Sequence, residues 1–223
     1  MAIIYPKLRT LRLGYAGRMP VQYLFPTLVY GAPLEPKSSA ALNRRLLRES
    51  LQLRHDDRAG RTWSARNYPG GYTSYNSQCR LQRVSPTFAQ LERSLDRHVR
   101  RFAKSLDFDL RGKRLQMTDC WVNIMRHRVV HGLHLHPLAT ISGTYYVQVP
   151  RGSPGLKFED PRLERFMAAP PRRARAPARN RTWVSSPARA GRLILFESWL
   201  RHEVAPNQAR GERVSVSFNY GWF

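Results

Sequence analysis

Cysteine is nearly absent: Cys79 and Cys120 are the two in 223 residues. They are too few for a disulfide framework and form no C-x-x-C pair, so they read as reduced thiols of a cytoplasmic protein. Long apolar runs are missing as well. No eighteen consecutive apolar residues occur, which excludes a membrane-spanning helix of the usual kind. The first twenty residues carry scattered basic side chains but neither a continuous apolar stretch nor a small-residue cleavage site, so no secretory leader is expected. Acids are scarce: 15 Asp and Glu stand against 38 Lys and Arg, a net charge of +23. One source of that excess is a polyanionic partner, since cations that neutralise phosphates release counterions. The other is an arginine-biased genome that places arginine wherever another polar residue would serve. The arginines are spread along the chain without an interleaved aromatic stripe, so nucleic acid is not the favoured partner.

What is present is the composition of a folded domain, 42% hydrophobic and 24% charged. The length is enough for one domain with a full core. Residues 21–31 are β-prone and read as a strand pair or a bent edge strand around Pro26. Ser38 and Ser39 can cap a helix running to about Arg54, with Leu42, Leu46 and Leu53 on one face. Residues 60–77 are turn-rich, with Pro69-Gly70-Gly71 as punctuation, and are expected to form a loop. The clearest helix follows. Ser85 caps it, Pro86 takes the first position, and Phe88, Leu91, Leu95, Val99, Phe102 and Leu106 recur at helical spacing.

From Arg114 the period changes to that of strands, at 114–126, 140–150, 155–159, 192–197 and 213–220. A helical part over about 20–113 and a barrel over about 114–223 give an α+β, mainly β, expectation. Residues 161–190 interrupt the barrel with eight arginines and a single acid, Glu164. This stretch reads as a long loop or a poorly ordered insertion.

Four of the seven histidines fall within residues 127–136. His134 and His136 are two apart, so on a strand both rings face one way, with backbones roughly 7 Å apart, in reach of one metal ion. Alone, that spacing describes many surface or core histidines. His202 follows an apolar strand and can enter the same barrel from elsewhere. Arg213 opens a segment whose Val214, Val216, Phe218 and Tyr220 alternate with Arg213, Ser215, Ser217 and Asn219. A polar second face ordinarily meets solvent, but it also lines a hydrophilic pocket, where an arginine can clamp a dicarboxylate bidentately.

Trp121-Val122-Asn123, His134-Leu135-His136-Pro137 and the run from Ser142 to Val147 form an ordered series. It continues through Phe158-Glu159-Asp160-Pro161-Arg162, the segment from Leu195 to His202, and that from Arg213 to Asn219. Leu24-Phe25-Pro26 and the run from Gly70 to Ser74 precede it. This series resembles a bacterial and phage family of Fe(II)/2-oxoglutarate oxygenases, over nearly the whole chain except the arginine-rich insertion and the first twenty residues.

The resemblance implies a double-stranded β-helix, a jelly-roll or cupin-like barrel, with the early helices packed outside. It implies Fe(II) held by His134 and His202, 2-oxoglutarate held through Arg213, and O2 as oxidant. The superfamily's usual carboxylate ligand is replaced by His136, so a three-histidine centre is expected, His136 acting otherwise as a hydrogen-bonding neighbour. Asp160, Asp119 and Glu197 are the fallback carboxylates. His127 and His131 read as loop residues or as neighbours of the metal ligands, surface being favoured for both, and Trp199 as core.

Around the metal, Asn123, Ser217 (or Ser215 on the same face) and one of Tyr145 and Tyr146 are the candidates for lining the cosubstrate site, Tyr145 being selected. No catalytic side chain beyond the metal centre is expected. The implied activity is hydroxylation of a peptide, a protein side chain or an amino-acid-like substrate, possible partners including an acidic one. The alternatives are oxidative dealkylation of nucleic acid, or a non-oxidative cupin-like metal binder or basic adaptor.

Overall fold

The computed structural model describes residues 21–34 and 39–223. In chain order the elements are β1 (Val29–Pro33), α1 (Ser39–Asp56), α2 (Arg58–Asn67), β2 (Tyr72–Thr73), α3 (Leu81–Val84) and α4 (Pro86–Ser105). Then come β3 (Leu115–Met125), β4 (His131–His134), β5 (Ile141–Gln148) and β6 (Leu156–Glu159). Two 3₁₀ turns (Leu163–Arg165 and Ala178–Asn180) precede β7 (Trp183–Ser186), β8 (Arg192–Glu197), β9 (His202–Val204) and β10 (Arg213–Trp222).

Helix α4 starts where its chemistry dictates. The Ser85 hydroxyl oxygen accepts the backbone N–H groups of Thr87 and Phe88 at 3.1 and 3.3 Å, and Pro86 supplies the first position, where no N–H is needed. Its apolar residues Phe88, Leu91, Leu95, Val99 and Phe102 are buried against the sheet. In α1, Leu42 and Leu46 are buried and Leu53 packs against the same core. The expected Ser38 cap lies outside the described residues, as does the leader reading of the first twenty.

Two antiparallel sheets form, one of six strands in the order β1-β8-β5-β10-β3-β2 and one of four in the order β4-β9-β6-β7. The core divides accordingly. One cluster joins α1 and α4 to the outer face of the large sheet through Val122, Tyr145, Val216, Phe218 and Tyr220. The other fills the space between sheets with Met125, Tyr146, Leu156, Phe158, Phe196 and Val204. At the centre of the large sheet a Cβ on Gly143 would fall 2.6 Å from the Phe218 ring and the Ile194 carbonyl oxygen, so this position takes no side chain without displacing its neighbours.

Three expectations need correction. Residues 21–28 form no strand; the strand begins at Val29 and pairs in register with β8. Residues 58–67 are a helix, not a loop, because the Asp57 carboxylate caps it by accepting the Gly60 N–H at 2.8 Å. The 161–190 stretch is irregular over most of its length, as a long loop would be, but Trp183–Ser186 pair with β6 as β7. Among the described residues no helix is long and apolar enough to cross a membrane.

Candidate metal centre

Strand pairing brings the histidines together. His134 on β4 lies directly opposite His202 on β9. His136, just past the end of β4, is anchored where its N–H donates to the Ser198 carbonyl at 3.0 Å. The ring centroids lie 4.3 Å apart for His134 and His202, 5.2 Å for His134 and His136, and 5.1 Å for His136 and His202. One nitrogen from each ring lies within 4.8 Å of the others, and among the described residues this is the one cluster of its kind. Two nitrogens bound to a common ion at about 2.1 Å each lie at most about 4.2 Å apart, so a small inward swing of the rings completes a site.

Each ring is fixed in one tautomer. His134 Nδ1 meets the Gly132 carbonyl at 2.7 Å and His202 Nδ1 meets the Leu200 carbonyl at 2.9 Å. A carbonyl can only accept, so both Nδ1 atoms carry the proton and both Nε2 lone pairs are free. His136 Nδ1 donates to Asn219 Oδ1 at 2.6 Å. That amide is itself oriented, with Oδ1 accepting from Ser142 Oγ at 2.8 Å and Nδ2 donating to Asp119 at 3.3 Å. Three Nδ1–H groups anchored outward and three Nε2 atoms left over is the arrangement metal-ligating histidines need.

Burial depresses the basicity of these rings. It lowers His202 to about 3 and His136 to about 4, and lowers His134 as well, a backbone or side-chain hydrogen bond opposing the shift in each case. Neutral imidazole is therefore the resting form at neutral pH. The unfolded chain, with histidines near 6.5, binds more protons than the folded one below that value. Stability of the metal-free protein is thus fully present above about pH 6.5 and falls as acid is added through the window down to about 3. His202 alone should contribute about 1 kcal/mol of loss by about pH 5.5. Urea midpoints measured between pH 7.5 and 5.5 should drop, and a flat profile would contradict buried neutral rings.

A cavity extends from the three rings between the sheets. It is lined by Trp121, Asn123 and Met125 of β3, by Thr144 of β5, and by Arg213, Ser215 and Ser217 of β10. The polar face of β10 thus looks inward, not to solvent. Arg213 is 2% exposed, yet among the described residues no carboxylate lies within ion-pair distance of it. Its Nε donates to the Pro154 carbonyl at 3.1 Å, one terminal nitrogen donates to Ser215 Oγ at 3.2 Å, and its guanidinium sits 5.0 Å over the Tyr146 ring. The buried Tyr68 hydroxyl has no hydrogen-bond partner, and that of Tyr146 makes none of good geometry, lying near Arg213 and the Leu156 backbone. Burial raises the pKa of both, the field of Arg213 opposing, so both remain O–H donors. A buried cation without an anionic partner, near hydroxyls that are not fully engaged, fits a carboxylate group.

Asn123 Nδ2 donates to Ser217 Oγ at 3.0 Å, and the Ser217 hydroxyl also meets the Thr144 hydroxyl at 3.3 Å.

Several site expectations change. Tyr145 does not line the cavity: it faces the helices, and its hydroxyl donates to Asn43 Oδ1 at 2.9 Å. Successive strand residues alternate faces, and Tyr146 took the inner one. Tyr145→Phe should cost about 1 kcal/mol of stability and leave 2-oxoglutarate affinity unchanged in calorimetry. His131, for which surface was favoured over a place beside the ligands, is half-buried and lines the cavity, its ring stacked 4.6 Å from His134 and tilted 5.4 Å from Tyr68. His127 is exposed as expected, whereas Trp199, expected in the core, is 45% exposed. None of Asp160, Asp119 and Glu197 joins the metal cluster; Asp160 is held by Arg162, and Asp119 reaches the centre only through Asn219.

Residues 119–219 match the family model described as “Putative 2OG-Fe(II) oxygenase”. Over these residues the family resemblance read from the sequence holds. Solved structures share the fold at low identity. The epimerase SnoN, in complex with Fe3+, alpha ketoglutarate and nogalamycin RO, matches at a TM-score of 0.59 and 16% identity over 87% of this chain and 79% of its own. A Pseudomonas putida prolyl-4-hydroxylase matches at 0.57 and 16% identity over 88% and 94%. HygX from Streptomyces hygroscopicus, with nickel, 2-oxoglutarate and hygromycin B bound, matches at 0.56 and 17% identity over 87% and 83%. Among curated proteins no sequence match to this chain is found. Neither His131, which lines the cavity, nor Tyr68, which packs beside it, was legible in this place: one arrives through an irregular register in β4, the other from the turn after α2.

Proposed function

We propose that the chain is an Fe(II)- and 2-oxoglutarate-dependent oxygenase whose two sheets form a double-stranded β-helix, and that it hydroxylates a peptide, a protein side chain or an amino-acid-like substrate. The observation that carries this reading is the pairing, in one cavity, of three convergent Nε2 atoms with a buried guanidinium that has no anionic partner. His134, His136 and His202 would hold the iron. Arg213, with the Tyr146 and Tyr68 hydroxyls, would take the distal carboxylate of 2-oxoglutarate, and Ser217, aligned by Asn123, would donate a hydrogen bond along its length.

When bound, the iron and 2-oxoglutarate together activate O2 for C–H oxidation, with release of succinate and CO2. The protein's own part is to hold three neutral rings in one tautomer, to seat the dicarboxylate in a single direction, and to keep water out with Phe158, Phe196 and Leu156. Three neutral ligands leave the metal one unit more positive than a two-histidine, one-carboxylate set would. That strengthens its hold on an anionic chelate.

Iron-loaded protein should release succinate from 2-oxoglutarate slowly even without substrate, and a peptide substrate should speed it. A well-folded protein that binds no 2-oxoglutarate by anaerobic calorimetry would overturn the reading. A second reading, oxidative dealkylation of nucleic acid, draws on the +23 charge. Phosphate contacts would make affinity fall steeply with salt, so binding that is flat between low and physiological salt removes it.

A further inference from the structure

The strongest charge feature outside the cavity is the arm of residues 161–190 between β6 and β7. All eight of its arginines are exposed, and its one acid, Glu164, is engaged with Arg201 at 3.5 Å. Arg162 pairs with Asp160 at the root. The other seven arginines make no ion pair among the described residues.

The arm is also tied to the metal centre. Arg201 immediately precedes His202, and its guanidinium holds both Glu164 of the arm and, at 3.0 Å, Glu159 at the end of β6. Phe158 of β6 lies directly opposite His202. Chain leaving β6 therefore departs at the histidine end of the cavity. Arg213, by contrast, bonds to Pro154 ahead of β6, at the other end. The root of the arm thus lies at the histidine end of the cavity, away from Arg213.

We propose that this arm docks an acidic peptide segment of the protein substrate. The inference rests on the oxygenase reading and narrows its substrate class. Arginine forks match side-chain carboxylates as well as phosphates, so the choice between peptide and nucleic acid turns on the aromatics. A single-strand binder needs free rings on which bases stack. The arm has two aromatic residues, and both rings already face cations: Arg162 and Arg172 over Phe166 at 5.9 and 5.5 Å, and Lys157 over Trp183 at 4.2 Å. Carboxylates need no ring.

Fluorescence anisotropy of a labelled oligo-glutamate peptide on the full chain tests the proposal, with a single-stranded RNA of equal charge as competitor. The triple variant Arg172→Gln, Arg173→Gln, Arg175→Gln should bind the peptide about tenfold more weakly. A control variant removing Arg44, Arg48 and Arg93 from the helices behind the large sheet should stay within about twofold. Equal weakening in both variants, or RNA bound more tightly than peptide through the arm, overturns the proposal. Nickel and 2-oxoglutarate calorimetry on the same proteins separates the two readings: lost cosubstrate binding in the unaltered chain sinks the oxygenase, whereas a lost arm effect alone sinks the docking surface.

Discussion

Arg213→Met should make the metal-free protein melt at a higher temperature while weakening its affinity for 2-oxoglutarate at least about 30-fold. The guanidinium is 2% exposed and is met by a carbonyl, a hydroxyl, a thioether and an aromatic face, none of them anionic. Desolvating an ion costs several kcal/mol, and without a counter-charge little offsets it. A thioether of similar length removes that cost, and exchanges of buried ions for packed apolar groups gain about 1–4 kcal/mol. At roughly 3 °C per kcal/mol for a chain of this size, the gain is readable in a melting curve. Losing one partner of a desolvated charge pair costs about 2–5 kcal/mol of affinity, on the order of 30- to 5,000-fold. Nickel binding should be untouched, because Arg213 contacts none of the three metal-facing nitrogens. A variant that melts lower and still binds 2-oxoglutarate would show that the arginine is a structural ion. Arg213→Lys should fall between, since an ammonium supplies charge without the planar fork.

How much of this was legible in the chain depends on element length and on burial. Helix α4 announces itself through a cap, a proline and six apolar positions over twenty residues. Helix α2 does not: Trp63 is its one large apolar residue, and Asp57, its cap, is also fixed by the hydroxyls of Tyr72 and Ser77. Such a helix exists through tertiary contact, not through amphipathic pattern. Strands β3, β5 and β10 are long enough to show a period of two. Strands β4, β7 and β9 span three or four residues, too short for alternation to register, and build the second sheet with β6, an equally short strand that was marked by its flanking turn residues.

The site divides along similar lines. His134, His136 and His202 were visible as spacing plus an ordered resemblance. The polar face of β10 was visible too, but only the second sheet decides that it meets a cavity and not water. Tyr145 and Tyr146 were known to oppose one another; which of them faces inward is a question of parity, answered by pairing with β10 across a register shift near Ser215. His131 escaped because residues three apart on a regular strand face opposite ways. The irregularity between His131 and His134 cancels that rule and stacks the rings at an interplanar angle of 16°.

Four imidazoles therefore share the cavity wall, and removing them one at a time should separate ligands from lining. His202→Ala should weaken nickel or iron binding by more than about a hundredfold, beyond the 10- to 100-fold range typical of losing a partner behind a ligand. That lower range should apply to Asn219→Ala, because Asn219 holds the His136 Nδ1–H and so sets its tautomer. His131→Phe should leave metal affinity within a few-fold, since His131 stands outside the convergent trio while its ring stacks on His134. The His202 ring packs 4.5 Å from Phe196, so its loss also opens a cavity in the inter-sheet core and costs stability. His202→Gln keeps most of that volume and checks that lost affinity is not lost folding. Isothermal titration of all four variants gives the order. Should His131→Phe abolish binding while His202→Ala retains it, the ion would have to sit one ring further along β4, and the three-histidine centre would be wrong.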